Sequence, residues 1–217
     1  MKIKEFIIFT NNLDNQIDFY ATILELPILI STPEFTSFKI GESILTFKFK
    51  RNATPYHFAF NIPSDKEKEA LYWLKERVDI LSFDTNEIID FSSWNAKAIY
   101  FYDLDNNIVE FIARKNLNQN SAEKFSSKSI INISEIGLAS NKIEFIFNKL
   151  NTLNKVAIYK GDFEQFCAVG DENGLFIIVN NELRKWFPNG DEISQSDFII
   201  KGDFNFEFKK GEIIEIM

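Results

Sequence analysis

The stretch Trp94–Lys115, WNAKAIYFYDLDNNIVEFIARK, decides how the rest of this 217-residue chain is read. Two apolar runs, Ala96–Tyr102 and Ile108–Ala113, flank the break Asp103-Leu104-Asp105-Asn106-Asn107. Alternating apolar residues around an Asp/Asn-rich break predict a β-hairpin, because Asn and Asp tolerate the left-handed backbone that a tight reversal needs. With a period of two, Ile108, Glu110 and Ile112 share one face of the second strand, and Val109, Phe111 and Ala113 the other. Glu110 thus stands on an apolar face, where a carboxylate needs a cation, a hydrogen-bond donor or a metal ion.

Working outward, the first half reads as two copies of one unit. Ile3–Thr10 is a strand, Asp14–Leu24 an amphipathic helix ended by Pro27, and Ile28–Ser31, Phe35–Ile40 and Ser43–Lys50 are short strands. The order then repeats. Tyr56–Ile62 is a strand with His57, Ala59 and Asn61 on one face. Ser64 is read as the N-cap of a helix to about Arg77, and strands follow near Ile88, at Ala96–Tyr102 and at Ile108–Ala113. Asn116–Ser129 is polar and reads as a linker. Beyond it Ile133–Asn141 echoes Ile3–Asn11, pairing Glu135 with Glu5, and the C-terminal FNFEFKKGEIIEI runs in phase with FYDLDNNIVEFI, pairing Glu215 with Glu110. The helix Lys142–Leu150 and strands at Val156–Lys160, Gln165–Val169 and Leu175–Val179 complete that copy. The stretch from Asp197 to Glu215 is too short for a helix and three strands, so this copy is trimmed.

YFYDLDNNIVEFI, together with Phe19-Tyr20 in the first helix and HFAFNI at His57–Ile62, resembles the glyoxalase/bleomycin-resistance/extradiol-dioxygenase (vicinal oxygen chelate) superfamily. Leu104 and Asn106 stand where the family's D-P-D-G-N-like turn has proline and glycine. The resemblance covers Met1 to about Lys115. It implies an α+β fold of tandem βαβββ modules forming a curved, half-open mixed sheet with helices outside. The domains expected are a glyoxalase-like domain at 1–115, a linker at 116–129 and a shortened, degenerate copy at 130–217.

Carried over residue by residue, the family's metal positions fall on Glu5, His57 and Glu110. The family's usual first ligand is His, so Glu5 makes the set one imidazole and two carboxylates, a shift toward Mn²⁺, Mg²⁺ or Zn²⁺. A divalent ion (Zn, Mn, Ni or Fe) is the cofactor this implies. Glu5 and Glu110 are the candidate catalytic bases, and Tyr100 matches a position that contacts ligand. The corresponding trio in the second copy, Glu135, Asp197 and Glu215, lacks an imidazole and reads as degenerate. Each residue also has a plain structural reading: His57 and Tyr100 as packed core residues, and the carboxylates as partners of Lys97 or Arg114.

The resemblance implies two functions. One is a divalent-metal-dependent lyase, isomerase or dioxygenase acting on a small molecule in the first-domain cup. The other is a metal-free protein that sequesters a small aromatic or amphipathic compound, as bleomycin-resistance proteins do. Composition narrows the partners. A net charge of −8 argues against non-specific nucleic-acid binding. No apolar run reaches the length of a membrane span, and MKIKEFIIFTNN lacks the features of a secretory signal. Cys167 is the lone cysteine, so no intrachain disulfide forms. A cytoplasmic monomer or homodimer is expected. One His and no Gly-rich phosphate loop leave imidazole relays and nucleotide motifs without residues.

Overall fold

Four successive groups of strands build the molecule, seen in a computed structural model that describes residues 1–216. The first group is β1 (Ile3–Thr10), α1 (Leu13–Ile17, continued by a π-helical stretch Asp18–Ile23), β2 (Ile28–Ser31), β3 (Phe35–Ile40) and β4 (Ser43–Phe49). The second is β5 (His57–Ile62), α2 (Glu67–Lys75), β6 (Ile80–Leu81), β7 (Ile89–Phe91), β8 (Ala96–Tyr102) and β9 (Ile108–Arg114). The third is β10 (Asn132–Ala139), α3 (Ile143–Leu153), β11 (Ile158–Gly161), β12 (Phe166–Asp171) and β13 (Gly174–Val179). The fourth is β14 (Phe198–Gly202), β15 (Phe206–Lys209) and β16 (Glu212–Glu215), with no helix among its described residues. The helix read from the sequence as lost from the copy at 130–217 is the one this last group lacks.

Two mixed sheets result. Their strand orders are β16-β15-β14-β1-β4-β3-β2 and β11-β12-β13-β10-β5-β9-β8-β6, with β7 also on β8. The first group therefore pairs with the fourth, through antiparallel β1 and β14 (Ile7 opposite Ile199), and the second with the third, through antiparallel β5 and β10 (Ala59 opposite Glu135). Hydrogen bonding crosses the expected division at 116–129 in both sheets. The reason lies in that segment itself, which packs along α2. Phe125 is buried against Trp73 and Phe111, its N–H donates to Glu69, and the Ser64 N–H donates to the Gln119 carbonyl. A chain so held returns beside β5.

Alternation along the strands sorts side chains into two layers. Phe6, Ile8, Phe58, Phe60, Ile136 and Phe198 belong to the main core, which also takes in the apolar faces of the helices. The Phe6 ring meets Phe58 and Phe198 edge-on at 5.7 and 5.6 Å, which ties the two sheets together. Each such phenylalanine contributes about 1.5–3 kcal/mol by burial. Ala70, Trp73 and Leu74 form the buried stripe of α2. Ser64 does not cap that helix; its hydroxyl donates to the Arg114 carbonyl at 2.7 Å, and the helix starts after Lys66. A smaller cluster, with Ala59, Tyr100, Ile112, Ile177 and Trp186, lines the opposite face of the second sheet.

The helix missing from the fourth group changes that face. Residues 180–197 link β13 to β14 and run across the mouth of the second sheet. The Tyr102 hydroxyl donates to Asp191 at 2.5 Å, Gln195 donates to the Ala139 carbonyl, and Ser196 bonds Thr54 and Pro55.

Candidate metal centre

Register places the polar residues of the second sheet. Glu110 of β9 lies opposite Ala59 of β5, and Ala59 lies opposite Glu135 of β10. Residues in register share a face, so two carboxylates flank one small, fully buried alanine. His57, two residues before Ala59, points the same way. One ligand atom each from His57, Glu110 and Glu135 lie within 4.8 Å of one another, and all three residues are buried.

His57 is held in one tautomer. Its Nδ1 lies 3.1 Å from the Ile108 carbonyl, which can only accept, so Nδ1 carries the proton. Nε2 is then a bare lone pair, 3.6 Å from Oε2 of Glu110. Burial pushes the imidazole down to about 4 and keeps it neutral. A neutral ring oriented by a backbone carbonyl is the arrangement of a metal-ligating histidine.

The carboxylates answer to a cation of the chain's own. Burial, then repulsion from Glu135, raises Glu110 well above the usual carboxylate range, against the pull of Arg114. Burial also raises Glu135, again opposed by Arg114. The Arg114 guanidinium is fully buried and donates through Nη2 to Oε1 of Glu135, with the Trp94 ring 5.8 Å from its Cζ. Nε and Nη1 have no partner among the described residues. Tyr100, opposite Glu110 in register, keeps its phenolic proton, first because it is buried and then because Glu110 lies beside it.

A cavity of about 660 Å³ opens over this floor, walled by Trp94, Phe166, Trp186 and Phe187 among others. The Trp186 ring lies 5.0 Å from His57, and the Phe187 ring meets Tyr100 at 5.4 Å. Gly137 makes room for this: a Cβ there would come 2.8 Å from the Trp186 ring and 3.0 Å from the His57 carbonyl.

His57, Glu110 and Tyr100 thus come together as the sequence suggested, but Glu5 does not join them. It sits on β1 in the other sheet, where Thr46 donates to Oε1 at 2.9 Å and Lys201 to Oε2 at 2.8 Å. Glu5, read as metal ligand and catalytic base, is therefore not brought to His57 and Glu110: β10, not β1, adjoins β5, so the equivalent residue of the next copy, Glu135, lies beside them. The trio Glu135, Asp197 and Glu215 is dispersed. Asp197 accepts from Lys50 at 2.6 Å, and Glu215 lies exposed on β16. The echo of Ile3–Asn11 in Ile133–Asn141 already marked Glu135 as equivalent to Glu5, and Arg114 was one of the two cations read as partners of the carboxylates; no sequence signal marked Trp186.

The chain has the fold of the glyoxalase/bleomycin-resistance/extradiol-dioxygenase (vicinal oxygen chelate) superfamily. A candidate dioxygenase from Bacillus subtilis subsp. subtilis str. 168 superposes with a TM-score of 0.61 at 15% identity, over 82% of this chain and 63% of that one. A mutant glyoxalase I from Zea mays gives 0.54 at 15% identity, over 82% and 66%. This chain thus spans just under two thirds of each. A fosfomycin resistance protein from Listeria monocytogenes, in complex with Mn(II) and a dihydroxypropylphosphonic acid, matches 52% of this chain at 20% identity with a TM-score of 0.41. No protein-family model and no curated protein matches the sequence. No helix among the described residues is long and apolar enough to cross a membrane.

Proposed function

We propose that this protein binds a divalent metal ion through Nε2 of His57 and the carboxylates of Glu110 and Glu135, and acts on a small molecule in the cavity above them. The observation that carries this is the convergence of the three donor atoms within 4.8 Å, with the imidazole neutral and its free nitrogen turned to the carboxylates. The donor set suits the group: one imidazole and two carboxylate oxygens match Mn²⁺ or Zn²⁺. When bound, such an ion supplies Lewis acidity to two neighbouring oxygens of a ligand. The chain's residues do the rest. Ile108 orients His57, the neutral Tyr100 phenol offers a hydrogen-bond donor beside Glu110, and the aromatic walls limit water over the floor.

Thermal melts with Mn²⁺, Zn²⁺ and Ni²⁺, with and without chelator, test this. A ligand that binds only the folded chain raises the melting temperature. His57→Ala, Glu110→Ala and Glu135→Ala should each abolish the rise, whereas Glu5→Ala should retain it. If no ion shifts the wild-type melt, the proposal fails. A second reading, a metal-free cup that sequesters a small aromatic or amphipathic compound, is favoured by the Arg114–Glu135 ion pair, which answers one carboxylate without an ion.

A further inference from the structure

We propose that Arg114 is the resident counter-cation of this site, opposing the dication for the charge of Glu135 and leaving the loaded centre matched to a singly charged anionic oxygen ligand. This rests on the reading of His57, Glu110 and Glu135 as a dication site. Three observations carry it. Arg114 is the largest fully buried side chain, so its charge is felt at low dielectric. Among the described residues its guanidinium makes one hydrogen bond, to Glu135, one of the three donors, and Nε and Nη1 have no partner. Its place, two residues past Ile112 and four past Glu110, puts it on the same strand face as the donors.

The charge count follows from the side chains. A neutral imidazole, two carboxylates and one guanidinium sum to one negative charge; a dication turns that to one positive. Without Arg114 the loaded centre would be neutral, leaving an anion only the other charges that line the cavity, Lys160, Arg184 and Lys185 with Asp162 and Glu164. Arg114 should therefore weaken the cation and strengthen the anion, and these opposite signs separate a role through charge from a role through packing.

Calorimetry at pH 8 with Mn²⁺ alone, on the full chain and on Arg114→Met, Arg114→Gln and Arg114→Lys, provides the test, after circular dichroism has shown which variants fold. The two neutral variants should bind Mn²⁺ at least about tenfold more tightly than wild type, and Arg114→Lys should stay within about threefold of it. Acetohydroxamic acid, which gives up its proton to solvent on binding and holds the ion as a two-oxygen monoanion, is then titrated into the Mn²⁺-loaded proteins and should bind the neutral variants more weakly. Binding of Mn²⁺ by wild type, with neutral variants that are equal or weaker, overturns the role of Arg114 and leaves the metal site standing. Binding by a neutral variant but not by wild type upholds Arg114 as the resident cation and overturns the metal reading for the natural chain. Binding by neither overturns both.

Discussion

His57 stays neutral far below the pH at which an exposed histidine takes up a proton, and this has two consequences. Its pKa is about 4 in the folded chain and about 6.5 in the unfolded one. Between those values the unfolded chain holds the extra proton, so stability is full above pH 6.5 and falls as pH drops toward 4, by about 3 kcal/mol from this residue. Urea unfolding of wild type and His57→Gln at pH 7 and pH 4.5 should show the variant losing less stability; equal losses would refute the burial argument. The second consequence concerns metal binding. Above the imidazole's titration at about 4, proton competition comes through Glu110, which burial and Glu135 raise. Affinity should therefore keep rising with pH well above the ordinary titration of a carboxylate.

At the scale of elements, the segment 180–197 is the feature that sets this cup apart from an open one. It carries Trp186 onto His57 and Phe187 onto Tyr100, and Gly137 on β10 is the hollow that receives the indole. Gly137→Ala should push the indole out. A methyl at 2.8 Å from a buried ring forces a shift costing about 1–3 kcal/mol. Chemical denaturation should register that loss, and tryptophan emission should move to the red as Trp186 meets water. An unchanged spectrum with unchanged stability would mean the segment does not seat there.

For the whole molecule, the deciding fact is that each sheet joins strands far apart in the chain. Ile7 of β1 faces Ile199 of β14, with β1 inside the first sheet and not at its edge. In Ile7→Cys/Ile199→Cys, with Cys167 replaced by Ala, mild oxidation should give an intrachain disulfide, since facing residues of antiparallel strands lie within bridging range. The oxidised protein should remain monomeric on a non-reducing gel and melt higher, because the bridge closes a very long loop. Crosslinked dimers alone would refute the pairing.

The hairpin strands Ala96–Tyr102 and Ile108–Ala113, the His57 strand, the helix positions and the helix lost near the C-terminus were legible in the sequence, because strand phase and turn chemistry are local. Phase together with the family resemblance put His57 and Glu110 on one face, and the internal echo made Glu5 and Glu135 equivalent. Which of those two glutamates meets His57 was not legible. Both lie in strands of nearly the same pattern, and strand neighbours are chosen by long-range pairing, here by the segment 116–129 folding back along α2 and setting β10 against β5. That Arg114 and not Lys97 answers the carboxylates, and does so fully buried, was not legible for a related reason. At the end of an apolar strand it reads as a solvent-reaching cation, and only the burial of Glu135 beside it explains a fully buried guanidinium. Local chemistry wrote the parts of the site; the pairing of distant strands decided which of them meet.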